Sequence, residues 1–285
     1  MQWVVIYNDK GMLNSWHDLF LSRDEQIACH YVDLHTTALL SDEIKPTIVL
    51  FLAKLSSVAD AQARQQFQLQ LLNWLAIAKQ NKAMFLFLSS AAVFNGDQLY
   101  YEENAKTCPK ESYGQFYVGC EAQVSQYDRY IILRTGWLFS STKGEFLAEV
   151  IDFAKAKKMI PVNSAGKGCP TALTDLVRVI FGMCLQLELS IPSGRLFHYM
   201  SQDSAIGFQF IETVLSHASQ FSGDIDPKNV FFQHQVNQNS LFYFEPVILK
   251  CNKLSEQFGI QQRTWRSYVG DAVKNYTNTL VEATK

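Results

Sequence analysis

Five short stretches of the first half of the chain, QWVVIY, QIACHYV, TIVLFLA, AMFLFLSS and YIILRT, are almost continuously apolar and rich in β-branched or aromatic residues. A strand with one solvent face alternates apolar and polar side chains, so unbroken runs of this length predict strands covered on both faces. Between them, apolar positions at helical spacing predict helices over Met12–Leu21, Ala59–Lys79 and Tyr113–Gln126. Alternating strands and helices predict an α/β architecture, a doubly wound parallel sheet. Ligands of such sheets sit at the carboxyl ends of the strands, which places the loop after Tyr7, the SSAAVF segment and the stretch after Arg134 along one edge.

Beyond about Ile160 the pattern loosens. A helix is predicted at Asp175–Leu187, a strand at Arg195–Tyr199 and a helix near Ile206–His217, followed from Ser222 by short strands and a final helix. This divides the chain into a nucleotide-binding type of domain over 1–160, completed by parts of 171–200, and a smaller lobe drawn mainly from 161–285, with no flexible linker between them. A length of 285 residues suits that division. With a net charge of −2 there is no electrostatic reason to expect nucleic acid or an anionic membrane as partner. No apolar run approaches the roughly 20 residues of a membrane span. The opening MQWVVIYNDKG reads as a first strand rather than an export signal, so a cytoplasmic protein is expected. The six cysteines form no CxxC pair, which predicts free thiols and no metal site.

A more specific signal is carried by EIKPTIVLFLAK, FLSSAAVFNGDQLYYEEN, SYGQFYVGCEAQV, ILRTGWLF, GKGCPT with the following DL, and NKLSEQFGI. In this order, over nearly the whole chain, they resemble the dTDP-4-dehydrorhamnose reductases, a branch of the extended short-chain dehydrogenase/reductase superfamily. The resemblance implies a Rossmann-like, NAD(P)-binding fold with a C-terminal substrate lobe. It also implies a nucleotide-linked sugar as ligand and NAD or NADP as cofactor, without metal. By position it assigns Asn8, Lys10, Gly11, Met12, Asp33, Ala53 and Ser89 to the cofactor, Ser90 and Tyr113 to catalysis, and Ala91, Ala92, Gly168 and Thr171 to the substrate.

The departures from the family pattern are equally informative. Its phosphate loop is Gly-x-x-Gly-x-x-Gly; here Asn8, Gly11 and Asn14 stand in those places. Asn tolerates the positive φ of a tight turn, Gly11 permits close backbone approach, and Asn14 is expected to crowd the contact between helix and strand. Asp9 adds negative charge where an anion would bind, partly offset by Lys10. The loop therefore reads either as a weakened dinucleotide site or as a plain strand-to-helix turn. Asp33 reads either as a ribose ligand or as a turn cap.

In the family a hydroxyl and a tyrosine polarise the carbonyl being reduced, and a lysine four residues after the tyrosine holds the nicotinamide ribose and lowers the phenol pKa from about 10. A cation about 4 Å away contributes up to about 4 kcal/mol at an effective dielectric near 20. Tyr117 occupies the lysine position and brings no charge. Ala91 and Ala92 replace the family's Asp and Tyr after the hydroxyl residue. The substrate arginine is missing as well, since no arginine lies between Arg195 and Arg263; Lys228, Lys250 and Lys253 are either phosphate contacts or solvated lysines. His198 is expected to be a structural strand residue, and Cys169 a packing residue rather than a nucleophile. Three parts of the site have thus drifted together. The reading that follows is a sugar-nucleotide or NAD(P)-binding protein that is non-catalytic or strongly attenuated, for which the regulatory subunit of methionine adenosyltransferase is a precedent of the same fold. The alternatives are an active reductase or epimerase of a nucleotide-linked keto sugar, and an interaction scaffold with a homodimer or a regulatory partner.

Overall fold

The computed structural model describes residues 1–21, 27–36, 40–41, 43–57, 59–162, 166–223, 225–227, 232–233 and 246–283. Lys228, and residues 242–245 of the FYFEPVILK stretch, lie outside the described residues.

Six parallel strands form the central sheet: β1 (Gln2–Tyr7), β2 (Ala28–Asp33), β3 (Ile48–Phe51), β4 (Met84–Ser90), β5 (Tyr130–Thr135) and β9 (Leu196–Tyr199), in the spatial order β2-β1-β3-β4-β5-β9. All seven residues of β4 and all four of β3 are buried, as their unbroken apolar runs predict. The order reverses direction between β1 and β3, so the carboxyl ends of these two strands flank the crevice where such sheets bind ligands. The loop after Tyr7 and the segment Ser89–Ala92 share this carboxyl edge, with the end of β3 between them.

Helices cover both faces. On one face α2 (Ala61–Asn81) and α3 (Ser112–Val124) pack through Phe67, Leu71, Trp74, Tyr117 and Val124. Asp60 caps α2, its carboxylate accepting from Ala63 N–H at 2.8 Å, and Lys82 ends the helix in the left-handed region at φ 55°. On the other face lie α1 (Lys10–Leu21), α5 (Leu173–Leu187) and α7 (Asn252–Phe258).

A third core belongs to the smaller lobe. Phe139, Phe146, Phe210, Trp265 and Tyr276 gather α4 (Phe146–Lys155), α6 (Gly207–Phe221) and α8 (Arg266–Ala283). Two short parallel pairs border it: β6 (Leu138–Phe139) with β8 (Thr171–Ala172), and β7 (Ile160–Pro161) with β10 (Phe232–Gln233). The lobe therefore takes in residues from Phe139 onward, while α5, β9 and α7 return to the sheet. Buried Asp175 ties the two bodies together. It accepts from Arg178 Nε at 2.8 Å, from the Tyr199 hydroxyl, and from the Tyr268 hydroxyl of α8 at 2.7 Å.

Candidate functional site

The amino end of α1 faces the crevice, and the protein's own polar groups occupy it. Asp9 Oδ1 accepts from Gly11 N–H at 2.7 Å, giving one of the first unpaired helical donors a carboxylate partner. The Asn8 amide clasps the backbone of Lys54 beyond β3, donating to its carbonyl at 2.7 Å and accepting from its N–H at 3.0 Å. Asn8 is not in the left-handed region expected of it; its side chain, rather than its backbone freedom, joins the ends of β1 and β3. The expectation for Asn14 is also corrected: it is exposed, while Gly11, Met12, Ser15 and Trp16 of this helix are buried. Gly11 has a different reason to lack a side chain, because a methyl group there would meet Thr142 Oγ1 at 2.5 Å and Ser140 Oγ at 3.2 Å. The segment after β6 thus lies directly against the start of α1. Glu145, at its end, has its carboxyl raised above the ordinary range by burial and by Asp9, with Lys54 pulling the other way.

Farther along the same edge, Ser90 ends β4 and its hydroxyl accepts from Ala92 N–H at 3.2 Å, capping the single turn Ala91–Val93. Ala91 and Ala92 are both buried. Helix α3 rests on this turn through Gly114, where any Cβ would collide with the Ala92 carbonyl. That contact sets Tyr113 and Ser90 on adjoining elements. Tyr113 is half-buried, its ring edge-on to Tyr117 at 5.1 Å. Tyr117 is 0 % exposed, stacks on Phe87 at 6.2 Å, and accepts at its phenol oxygen from Leu55 N–H at 3.1 Å. An aromatic side chain of the core therefore fills the position that would hold a lysine. Asp33 acts as a turn residue, its carboxylate accepting from His35 N–H at 2.8 Å. Lys10 is exposed at the first turn of α1, and Ala53 is buried just past β3.

Sequence reasoning missed a buried polar network below the crevice. Ser89 is 0 % exposed and donates to Glu121 Oε1 at 2.6 Å. Glu121 takes both prongs of the Arg134 guanidinium, at 2.8 and 2.6 Å, and Arg134 also lies over the Phe94 ring. Beyond Arg134 the chain continues to His198, with Nε2 3.5 Å from Nη1 and Nδ1 3.1 Å from the Lys250 carbonyl. An arginine cannot lose its proton here, so Nε2 is the acceptor and Nδ1–H donates to the carbonyl. Burial first, and Arg134 second, push the His198 pKa down to about 3. The signals were present as an acidic residue on the inner side of α3 and an arginine inside an apolar strand; either one, buried, requires a partner.

On the substrate side the assigned residues hold the backbone together. Gly168 exchanges backbone hydrogen bonds with Ala205 at 3.1 and 2.8 Å. Thr171 is buried, donates to the Cys169 carbonyl and accepts from Ser201 N–H, both at 3.1 Å. Burial raises the Cys169 thiol to about 12, far from the range of a nucleophile. The Lys250 ammonium sits 4.2 Å from the Tyr100 ring centre, and Lys253 N–H binds the Glu103 carboxylate at 3.1 Å. Among the described residues no group of three or more His, Cys, Asp or Glu could hold a metal, and no helix is long and apolar enough to cross a membrane.

A dinucleotide of the kind such sheets bind needs free N–H groups at α1 and a close approach over Gly11. One of these donors, Gly11 N–H, is taken by Asp9, and the space over Gly11 is occupied by Thr142, so the residues as they stand do not fit its pyrophosphate.

Comparison with known proteins agrees with the architecture. The chain is 25% identical over 236 residues to the dTDP-4-dehydrorhamnose reductase of Sinorhizobium fredii, covering 77% of each chain. It is 24% identical over 185 residues to the enzyme of that name from Escherichia coli, where the match spans 61% of each chain. In solved structures, the dTDP-4-dehydrorhamnose reductase of Bacillus anthracis in complex with NADP superposes with a TM-score of 0.77 at 20% identity, over 96% of this chain and 99% of that one. The orthologue from Clostridium acetobutylicum gives 0.76 at 17% identity, over 96% and 99%. Residues 16–278 match the RmlD substrate binding domain family, and the chain belongs to that family, within the dTDP-4-dehydrorhamnose reductase branch of the extended short-chain dehydrogenase/reductases.

Proposed function

We propose that this protein binds a nucleotide-linked sugar in the crevice at the carboxyl edge of its sheet and lacks, or has nearly lost, the reductase chemistry of its relatives. One observation carries the reading. Tyr117 stands where the catalytic lysine would be, wholly buried among aromatic rings, with its phenol oxygen engaged by Leu55 N–H. The residue one helical turn after Tyr113 therefore brings no charge to acidify its phenol, a contribution of up to about 4 kcal/mol where a lysine stands there. The ligand class rests on family membership and on the sheet geometry, which keeps Ser90, Tyr113, Ala91 and Ala92 on adjoining elements.

The test has two readouts on the wild-type protein. Thermal denaturation is followed with a panel of dTDP- and UDP-sugars, and NADPH consumption is followed with a dTDP-4-keto-6-deoxy sugar. A ligand at about a hundred times its dissociation constant stabilises by about 2.7 kcal/mol, so a clear rise in Tm with at least one sugar nucleotide is expected, without turnover. No shift with any sugar nucleotide would remove the ligand class. Brisk turnover would instead establish an active reductase working through Ser90 and Tyr113 alone.

A further inference from the structure

We propose that Asp9 and Glu145 are specificity-determining residues which close the dinucleotide-phosphate end of the crevice to anions, leaving the nucleotide-sugar end as the ligand site. The proposal deepens the function given above, since it names which half of the crevice is used, and it rests on that reading for the identity of the remaining ligand.

The argument starts from the helix. The first turn of α1 presents unpaired N–H groups and a partial positive charge, which elsewhere attract phosphate. Here Asp9 satisfies Gly11 N–H at 2.7 Å, so a carboxylate already stands at the first turn of α1. The space above Gly11 is filled by Thr142, whose N–H is in turn held by Ser140 Oγ at 3.2 Å. Gly144, at φ 84°, turns the chain so that Glu145 starts α4 beside this filled site. Glu145 N–H donates to the Thr142 carbonyl at 3.1 Å, so Glu145 ends the same turn that packs on Gly11, and there it is under the influence of Asp9 and Lys54. The Lys54 backbone is fixed by Asn8. One carboxylate thus takes an N–H of the cradle, a packed hydroxyl takes the space above Gly11, and a second carboxylate residue ends the adjoining turn. A pyrophosphate bringing two negative charges would have to displace Thr142 and face Asp9 and Glu145 together.

Calorimetric titration with NADPH, and separately with a dTDP-sugar, tests this on wild type, Glu145→Gln and Asp9→Asn. Both changes keep the shape of the side chain, and the asparagine keeps an oxygen able to cap α1. Removing up to one unit charge about 7 Å from a phosphate, at an effective dielectric between those of a protein surface and water, corresponds to up to about a fivefold change in affinity. Each variant should therefore bind NADPH tighter than wild type, by up to about fivefold, or gain binding where wild type shows none. Affinity for the dTDP-sugar should stay the same. NADPH affinity unchanged, or still undetectable, in both variants would overturn the proposal. So would equal gains for both ligands, which would mean a general charge effect. Failure of every protein to bind the dTDP-sugar would count against the ligand class alone, because the NADPH arm reads the two carboxylates independently.

Discussion

Restoring the missing lysine by Tyr117→Lys is expected to destabilise the fold without creating a reductase. Tyr117 is 0 % exposed and touches Phe67, Phe87, Tyr113 and Phe116. Its phenol oxygen is the partner of Leu55 N–H, and an ammonium cannot accept that bond. Leaving a buried N–H unsatisfied costs about 1–3 kcal/mol. Each aromatic pair lost costs a further 0.5–1.5 kcal/mol or so. An unpaired buried lysine whose pKa falls by roughly three units adds about 4 kcal/mol. The low ends of these costs, over four aromatic pairs, come to about 7 kcal/mol, against a whole-domain stability of about 5–15 kcal/mol. At about 2–4 °C per kcal/mol, Tm should fall by roughly 10 °C or more. Tyr117→Phe, which removes only the hydroxyl, should cost about 1–3 kcal/mol by the same reasoning. Calorimetric melts of the three proteins give the comparison. A lysine variant melting within about 2 °C of wild type would show that the pocket accepts a cation and would refute the argument. NADPH turnover by that variant would refute it from the functional side, because the closed phosphate end leaves proximity, worth roughly 7–11 kcal/mol when fully realised, unaddressed.

Two further outcomes follow from the same region. Gly114→Ala should fail to fold or lose more than about 2 kcal/mol in denaturant titration, because its Cβ would enter the Ala92 carbonyl and push α3 off the Ser90 turn; a near-neutral result would mean that α3 does not rest on that turn. For His198, the folded pKa of about 3 lies below the usual 6.5, so the unfolded chain binds the extra proton. Stability from this group is complete above about pH 6.5 and falls by up to about 1.4 kcal/mol per pH unit toward pH 3. Urea titrations across that range should show the slope in wild type and a shallower one in His198→Asn.

The sheet was legible because doubly covered strands lose the alternation of a half-exposed strand, and QWVVIY, AMFLFLSS and YIILRT all did so. The position of Tyr117 was legible too, since i and i+4 spacing on a helix fixes which side chain follows Tyr113. Its environment was not. That it lies in the aromatic core, bonded to Leu55, depends on how α3 is set down on the sheet through Gly114. In the loop YNDKGMLN, Asp9 caps Gly11 N–H, while Asn8 and Asn14 act otherwise than the motif suggests, because a motif alignment does not show where the helix begins or which side chains point outward. Glu145, Thr142 and the Ser89–Glu121–Arg134–His198 network join residues far apart in the chain. No local periodicity reports such meetings; only the packed topology does.

The central claim is that the family's frame survives here without its hydride-transfer site, and a single-turnover experiment tests it most directly. Wild-type protein in excess over a dTDP-4-keto-6-deoxy sugar is mixed with deuterium-labelled NADPH, and the sugar nucleotide is analysed by mass spectrometry over time. Protein in excess over the sugar restricts the reaction to one turnover per site, and repeating it at rising NADPH concentration separates slow hydride transfer from weak cofactor binding. The account predicts no deuterium in the sugar beyond a protein-free control. Rapid, stoichiometric transfer of the label would contradict it, showing that Tyr113 needs no cation at Tyr117 and that the crevice admits the dinucleotide despite Asp9 and Glu145.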